Sequence, residues 1–353
     1  MPVRSTLFGA IVALAALVTA FVFAASLNHL LTTPRLVGWN WSAIIGDDFD
    51  PEDAARIVPI LSSDKDVAEF SGGGGSTRQI RGVSLNVIGQ DQIKGEIQPL
   101  MLDGSAPKAE DEVVLGPRAM RTTHSHVGEV ISFDGSEGLK YRIVGRAVLP
   151  PITGATSGDG VFMTFQGLRR LQPTVVEDFY TVRFVEGVSG EVARSNLKKS
   201  IPDVSVGLSS DLGDAANLQR VVNLPFVLAG LLALLAAATL THILLTAVRR
   251  RARDLAILRT LGFVGAQVRA TVVWQATTLV LIALLLGIPL GVAAGRWSWS
   301  TFATQLGYKA EPAVHLAPIL LTIPAALLLG NLIAALPARA AARTKPALVL
   351  RAD

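Results

Sequence analysis

The chain has no cysteine among its 353 residues, which excludes a disulfide framework, a thiolate metal site and a cysteine nucleophile. Charge is scarce as well: charged residues make up 17% and hydrophobic ones 50%, against roughly 25% charged in soluble domains. A purely cytosolic globular enzyme is therefore not expected. GxxxxGK[ST], GxSxG and HExxH are all absent, so the chain offers no phosphate-binding loop, nucleophile elbow or zinc-protease helix of those types.

Four stretches lack charge altogether, between Arg4 and Arg35, Arg220 and Arg249, Arg269 and Arg296, and Glu311 and Arg339, each longer than 25 residues and mostly apolar. About 20 such residues cross a bilayer as a helix. Spans are expected at Leu7–Leu27, Leu224–Val248, Thr271–Gly295 and Ala313–Leu336. The expected fold is thus a membrane protein with four transmembrane α-helices, one plus three, and a large α+β extracytoplasmic domain between the first and second. The divisions are 1–27 for the cytoplasmic N-terminus and first helix, 28–222 for the extracytoplasmic domain, and 223–353 for three helices, a cytoplasmic loop at 249–270 and a cytoplasmic tail.

The calculated pI of about 9.6 invites a nucleic-acid reading, but the position of the charges argues otherwise. Arg249, Arg250, Arg251, Arg253, Arg259 and Arg269 lie between the second and third spans, Arg339, Arg343, Lys345 and Arg351 in the tail, and Arg4 at the start. With Asp254 and Asp353 they give one side of the membrane a net +9, leaving −5 for the rest of the chain. Basic loops stay cytoplasmic, so both termini are expected inside the cell (inner) membrane, with residues 28–222 outside. No nucleic-acid partner is expected. Trp39 and Trp41 after the first span, Trp274 at the inner end of the third, and Trp297 and Trp299 at its outer end read as headgroup anchors. The competitor for the first span is a signal peptide, since Val22-Phe23-Ala24 resembles a cleavage site. Its apolar run exceeds the 7 to 15 residues usual for that segment, which favours a retained anchor.

Within 42–222, strands are expected at Ile80–Gly89, Glu112–Gly116, Glu129–Phe133, Lys140–Val148, Val161–Phe165 and Phe179–Phe184, with helices at Pro51–Leu61, Gln166–Leu171 and Ser189–Ser200, from alternation and turn punctuation. The run SGGGGS at 71–76 reads as a flexible loop, having neither the lysine nor the strand-to-helix context of a phosphate cradle. His124 and His126 share a face if extended, but Thr122, Thr123 and Ser125 around them mark an exposed polar turn. No catalytic, cofactor-binding or metal-binding residues are expected. Asn331 and Gln275 are polar positions within the spans that should face neighbouring helices, and Pro324 should kink the fourth.

The cytoplasmic segment Arg249–Arg269 places Ile257, Leu261, Val264 and Val268 on one helical face, with basic residues on another. Such a helix can lie on anionic lipid or dock on a cytosolic partner. The string RRRARDLAILRTLG resembles the loop after the second span in the FtsX/MacB-like permease family of ABC transporters. Asp254 stands where that family usually has Glu. EVVLGPRAM, VGEVISF and YRIVG resemble the family's extracellular domain, and the start, PVRSTLFGAIVALAALVTAFVFAASLNHLLTTPRLVGWNW, resembles the second half of long ten-span members.

The resemblance implies a non-catalytic permease subunit, served in trans by a cytosolic ABC ATPase dimer that holds ATP and Mg, and paired with a second permease half, identical or homologous. The cytoplasmic helix would couple to the ATPase, with Leu255, Leu258 and Leu261 as apolar anchors, Arg253, Asp254 and Arg259 orienting, and Gly262 setting the turn. ATP hydrolysis would move the outer domain and export or extract a substrate; lipids, lipoproteins, peptides and antibiotics all suit family members. The alternative is a transmembrane signal transmitter acting on an outer partner such as a cell-wall hydrolase.

Overall fold

The computed structural model describes residues 2–46, 51–150, 158–208 and 264–343, together with isolated helical positions between 227 and 238. The chain divides into two compact units. One, helical in its described residues, comprises Met1–His29, Arg220–Ser300 and Pro312–Asp353; the other, α+β in its described residues, comprises Leu30–Gln219 and Thr301–Glu311.

In the α+β unit the described strands are β1 (Ala43–Ile45), β2 (Val67–Ile80), β3 (Val83–Lys94), β4 (Leu100–Gly104), β5 (Glu112–Leu115), β6 (Val130–Ile131), β7 (Tyr141–Val148), β8 (Val161–Thr164), β9 (Phe179–Phe184) and β10 (Val206–Leu208). They form one mixed sheet in the order β10-β1-β9-β2-β3-β8-β5-β7-β4, with β6 paired to β7. The β3/β8 and β5/β7 pairs are parallel and the others antiparallel. Strand periodicity gives both faces of the centre a core. Val113, Leu115, Val161, Met163, Leu85 and Val87 turn to a cluster that includes Phe165 and Leu168 of α4 (Phe165–Leu171). Val114, Phe162 and Ile88, one step out of phase, turn to the opposite cluster with Trp39 and Trp41. A third cluster packs Ile57 and Leu61 of α2 (Pro51–Ser63) and Ala193 and Leu197 of α5 (Gly190–Ser200) on β1, β9 and β10.

Three expectations are corrected here. SGGGGS at 71–76 lies inside β2, paired with β3 and β9. Glycine is demanded by crowding: a Cβ on Gly72 would lie 2.6 Å from Cδ of Glu177, one on Gly73 2.3 Å from Cζ of Phe179, and one on Gly74 2.5 Å from the Val176 carbonyl. Beside them the buried Ser71 and Thr181 hydroxyls are 2.6 Å apart, and Gln90 Nε2 donates to Thr181 Oγ1 at 3.3 Å, tying three strands through satisfied polar groups.

Of the strand expected at Ile80–Gly89, residues 83–89 lie in β3, while Ile80 ends β2 and the two residues between them turn a hairpin corner. Arg81 and Gly82 both have positive φ, 54° and 77°, the pattern of a two-residue type I′ turn. The Asp134 carboxylate accepts from both turn amides, Arg81 N at 3.1 Å and Gly82 N at 2.7 Å. Trp39 and Trp41, expected as headgroup anchors, are instead buried in the sheet unit's core, edge to face with ring centroids 5.2 Å apart.

The described helices of the helical unit are α1 (Pro2–Thr32), α6 (Gly265–Leu306) and α7 (Leu316–Arg343), the first two extending into the α+β unit at their ends. Leu7–Thr32 and Val273–Leu306 are long and apolar enough to cross a membrane, and Leu316–Leu332 is a shorter apolar segment. The expected span Leu224–Val248 falls mostly outside the described residues, which include only isolated helical positions of it. Gly287, Gly291 and Gly295 recur every fourth residue along one side of α6, where the backbone of α1 comes close. A Cβ on Gly291 would lie 2.6 Å from both Ala15 O and Val18 Cβ, and one on Gly295 2.7 Å from Val22 Cβ. Thr19 Oγ1 donates to Gly291 O at 3.1 Å. Val18 and Val22 pack with Ile319 of α7, and Thr277 Oγ1 donates to Asn331 Oδ1 at 3.0 Å, so Asn331 faces a neighbouring helix as expected. Small residues that admit a close backbone, reinforced by hydroxyl and amide bonds, are how helices associate in lipid.

Candidate functional site

The residues assigned to ATPase coupling, Arg253, Asp254, Leu255, Leu258, Arg259, Leu261 and Gly262, lie outside the described residues. So does most of the expected cytoplasmic face; from Val264 to Arg343 the chain is described, with Val264 exposed and its N–H donating to Gln267 Oε1 at 3.0 Å at the start of α6.

Within the α+β unit, chemistry gathers around α3 (Pro117–Thr123), a helix the sequence reading omitted. Its signal was present in EVVLGPRAM: Gly116 and Pro117 end β5, and proline at the first helical position is preorganised to start a helix. α3 closes on His124, which takes the left-handed conformation at φ 53°. An open cleft of about 430 Å³ beside it is lined by Arg121, His124, His126, Arg146 and Asp103 with apolar Met120 and Val127. Asp103 pairs with Arg146 across β4 and β7. His124 and His126 are exposed, as expected for a polar turn, and His126 Nδ1 lies 4.0 Å from Glu129 Oε2.

Glu129 organises this corner. It accepts from the His126 N–H at 3.0 Å and pairs with Arg81, whose guanidinium also donates to Thr123 O at 2.8 Å. The His126 N–H first, and then the Arg81 bond, hold the Glu129 carboxyl below its ordinary pKa. Glu112, at the start of β5, is likewise lowered by the Lys108 and Ala109 N–H groups it accepts from, at 2.8 and 3.2 Å. Tyr180 is pushed up by burial, and its hydroxyl donates to Glu177 Oε2 at 2.7 Å. These are structural arrangements of a folded corner. Among the described residues, no group of three or more His, Asp or Glu side chains could hold a metal ion.

Comparison with protein families places both parts of the chain. The MacB-like periplasmic core domain matches residues 5–200, and the FtsX-like permease C-terminal matches residues 226–346. The chain belongs to the FtsX/MacB-like permease family. As a member of this family of ABC transporter permeases it is a membrane protein, and the MacB-like match covers the whole described mixed sheet except β10.

Among solved structures, the periplasmic region of MacB from Actinobacillus actinomycetemcomitans is similar at 13% identity and a TM-score of 0.36, covering 49% of this chain and 91% of that one. The extracellular domain of the noncanonic ABC-type transporter YknZ from Gram-positive bacteria is similar at 10% identity and a TM-score of 0.33, covering 48% and 99%. Comparison with curated proteins gives no significant match.

Proposed function

We propose that this chain is the transmembrane subunit of an ABC transporter complex that couples ATP hydrolysis by a separate ATPase to movement of the α+β unit and to export or extraction of a substrate. The observation that carries the reading is the order of the two family matches on one chain, MacB-like core domain and then FtsX-like permease C-terminal, in a sequence without GxxxxGK[ST]. A phosphate cradle of that type holds nucleotide in ATPases, and the family matches, both to permease parts, support a separate ATPase as its source in this reading. ATP and Mg therefore belong to a partner dimer, and a second permease half, identical or homologous, completes the assembly.

In this reading four helices span the cell membrane, both termini are cytoplasmic and the α+β unit is outside. The positive-inside distribution and the apolar lengths of α1 and α6 support it. The cytoplasmic helix seats on the ATPase through Leu255, Leu258 and Leu261, with Arg253, Asp254 and Arg259 orienting it and Gly262 ending it.

The test is purification of the full chain from its native membrane with whatever ATPase accompanies it, followed by reconstitution into vesicles. ATP-dependent movement of a solute or lipid-linked cargo supports transport. An outer hydrolase whose activity follows ATP turnover without any flux would replace transport by signal transmission. Recovery of the chain with no ATPase would overturn both.

A further inference from the structure

The outer end of α6 is held by a seat that the expected span boundaries do not anticipate. Thr301–Glu311 belongs to the same compact unit as the sheet, although α6 runs unbroken from Gly265 to Leu306. The helix closes with Gly307 at φ 83°; Gly307 N–H donates to Thr304 O at 3.2 Å and Tyr308 N–H to Ala303 O at 2.9 Å. That pair of bonds is a Schellman ending, which needs a left-handed residue at this place. Carbonyls of a helix's last turn lack intrahelical donors, and Arg121 of α3 supplies one to Gln305 O at 2.9 Å and adds a second bond to Thr304 O at 3.2 Å. A cation there also meets the negative end of the helix dipole.

Gly158 forms the other wall. A Cβ on Gly158 would lie 2.8 Å from Gly307 Cα, and one on Gly307 2.8 Å from Gly158 Cα, so the two backbones touch where no side chain fits. Gly158 is fixed in turn by the first turn of α3, since Arg118 N–H donates to Gly158 O at 2.9 Å and Gly116 N–H to Gly160 O at 3.0 Å. Gly116 directly follows β5 and Gly160 directly precedes β8, and these strands pair with each other in the middle of the sheet.

We propose that Arg121 and Gly158 form a latch that fastens the outer end of α6 to the β5–β8 pair, so that a shift of this helix is delivered to the centre of the sheet. Arg121 acts as a positioning residue, holding a helix end by its carbonyls. The delivery half of this proposal rests on the function proposed above; the fastening half does not.

The experiment is hydrogen exchange on the full chain in lipid nanodiscs, with and without its co-purified ATPase and a non-hydrolysable ATP analogue. Without nucleotide, Arg121→Ala is expected to speed exchange of the Gly307 and Tyr308 amides about tenfold, while Thr122→Ala, an exposed change on the same helix, leaves them unaltered. Gly158→Val should act likewise; because it also strains a left-handed backbone, Arg121→Ala carries the test. Unaltered exchange at Gly307 and Tyr308 in Arg121→Ala would overturn the latch. With nucleotide, the unsubstituted complex is expected to change exchange in β5 and β8, and Arg121→Ala to lose that change while keeping its ATPase rate within about twofold. If the change persists in Arg121→Ala, delivery through the latch is refuted. If the unsubstituted complex shows no nucleotide response, the proposed function is what fails, and the nucleotide-free result still decides the fastening.

Discussion

Gly73 sits between two strands with no room for a methyl group, since a Cβ there would meet Cζ of Phe179 at 2.3 Å. Overpacking a close-packed interior costs about 1–3 kcal/mol and occasionally more. Gly73→Val should therefore lower the thermal midpoint of the detergent-solubilised chain sharply, whereas Gly138→Ala, with open space around it, should leave it in place. Charge acts at the same scale. Glu129 has a folded pKa below its ordinary value because the His126 N–H and Arg81 stabilise the carboxylate. Its contribution is fully present above the unfolded carboxylate pKa of about 4.3 and is lost as pH falls through the lower folded value. Glu129→Gln should thus melt below the unsubstituted chain at pH 7, and the gap should close as pH is lowered toward about 3. A gap independent of pH would show that the Glu129 charge contributes nothing to the hairpin corner.

Helix association provides the test at the scale of elements. Gly287, Gly291 and Gly295 let α1 and α6 approach to backbone distance, and in lipid that approach takes the place of the missing hydrophobic driving force. Gly291→Leu should separate the pair and destabilise the solubilised chain by about 1–3 kcal/mol, while Gly9→Leu, where nothing lies within 4 Å, should fall within about 0.5 kcal/mol of the parent. The four-residue glycine spacing stands in the sequence, but nothing local marks it as a helix contact. β9, found at Phe179–Phe184, and α5, read one residue long at its start, were legible, because alternation or helical composition bounded by turn residues is a local signal. The glycines of β2 were misread for the opposite reason. Glycine is disfavoured in strands, and what demands it here is Phe179 and Glu177, about a hundred residues further along the chain. Three-residue strands such as β1 and β10 are likewise too short for any pattern and exist only because β9 and each other are there to pair with. Arg121 carried no local mark at all, since its role comes from helix carbonyls more than 180 residues away in sequence.

At the scale of the whole molecule, two features of the sequence decide how the proposed complex would work: where charge lies across the bilayer, and what the proposed cytoplasmic helix would present. A chain without cysteine makes the first directly measurable. Single cysteines replacing the exposed His126 and Ser298 should react with a membrane-impermeant maleimide only from outside intact cells, and reaction from the cytoplasmic side alone would reverse the orientation. The second is a matter of competing surfaces for one amphipathic helix. If the segment is helical, Ile257, Leu261, Val264 and Val268 would repeat on one face while Leu255 and Leu258 would fall on others, so apolar side chains would extend further round than a helix lying flat on lipid needs. A docked helix uses such residues as anchors filling a groove, with nearby charges fixing orientation. Burying an unpaired carboxylate in that groove is prohibitive, whereas at a lipid surface the same group can stay in water. Leu258→Asp should therefore abolish co-purification of the ATPase while the chain still inserts and fractionates with the membrane, because Leu258 lies outside every expected span. If the variant assembles with its ATPase at normal affinity, the helix is a lipid-surface element and coupling must run through another part of the chain.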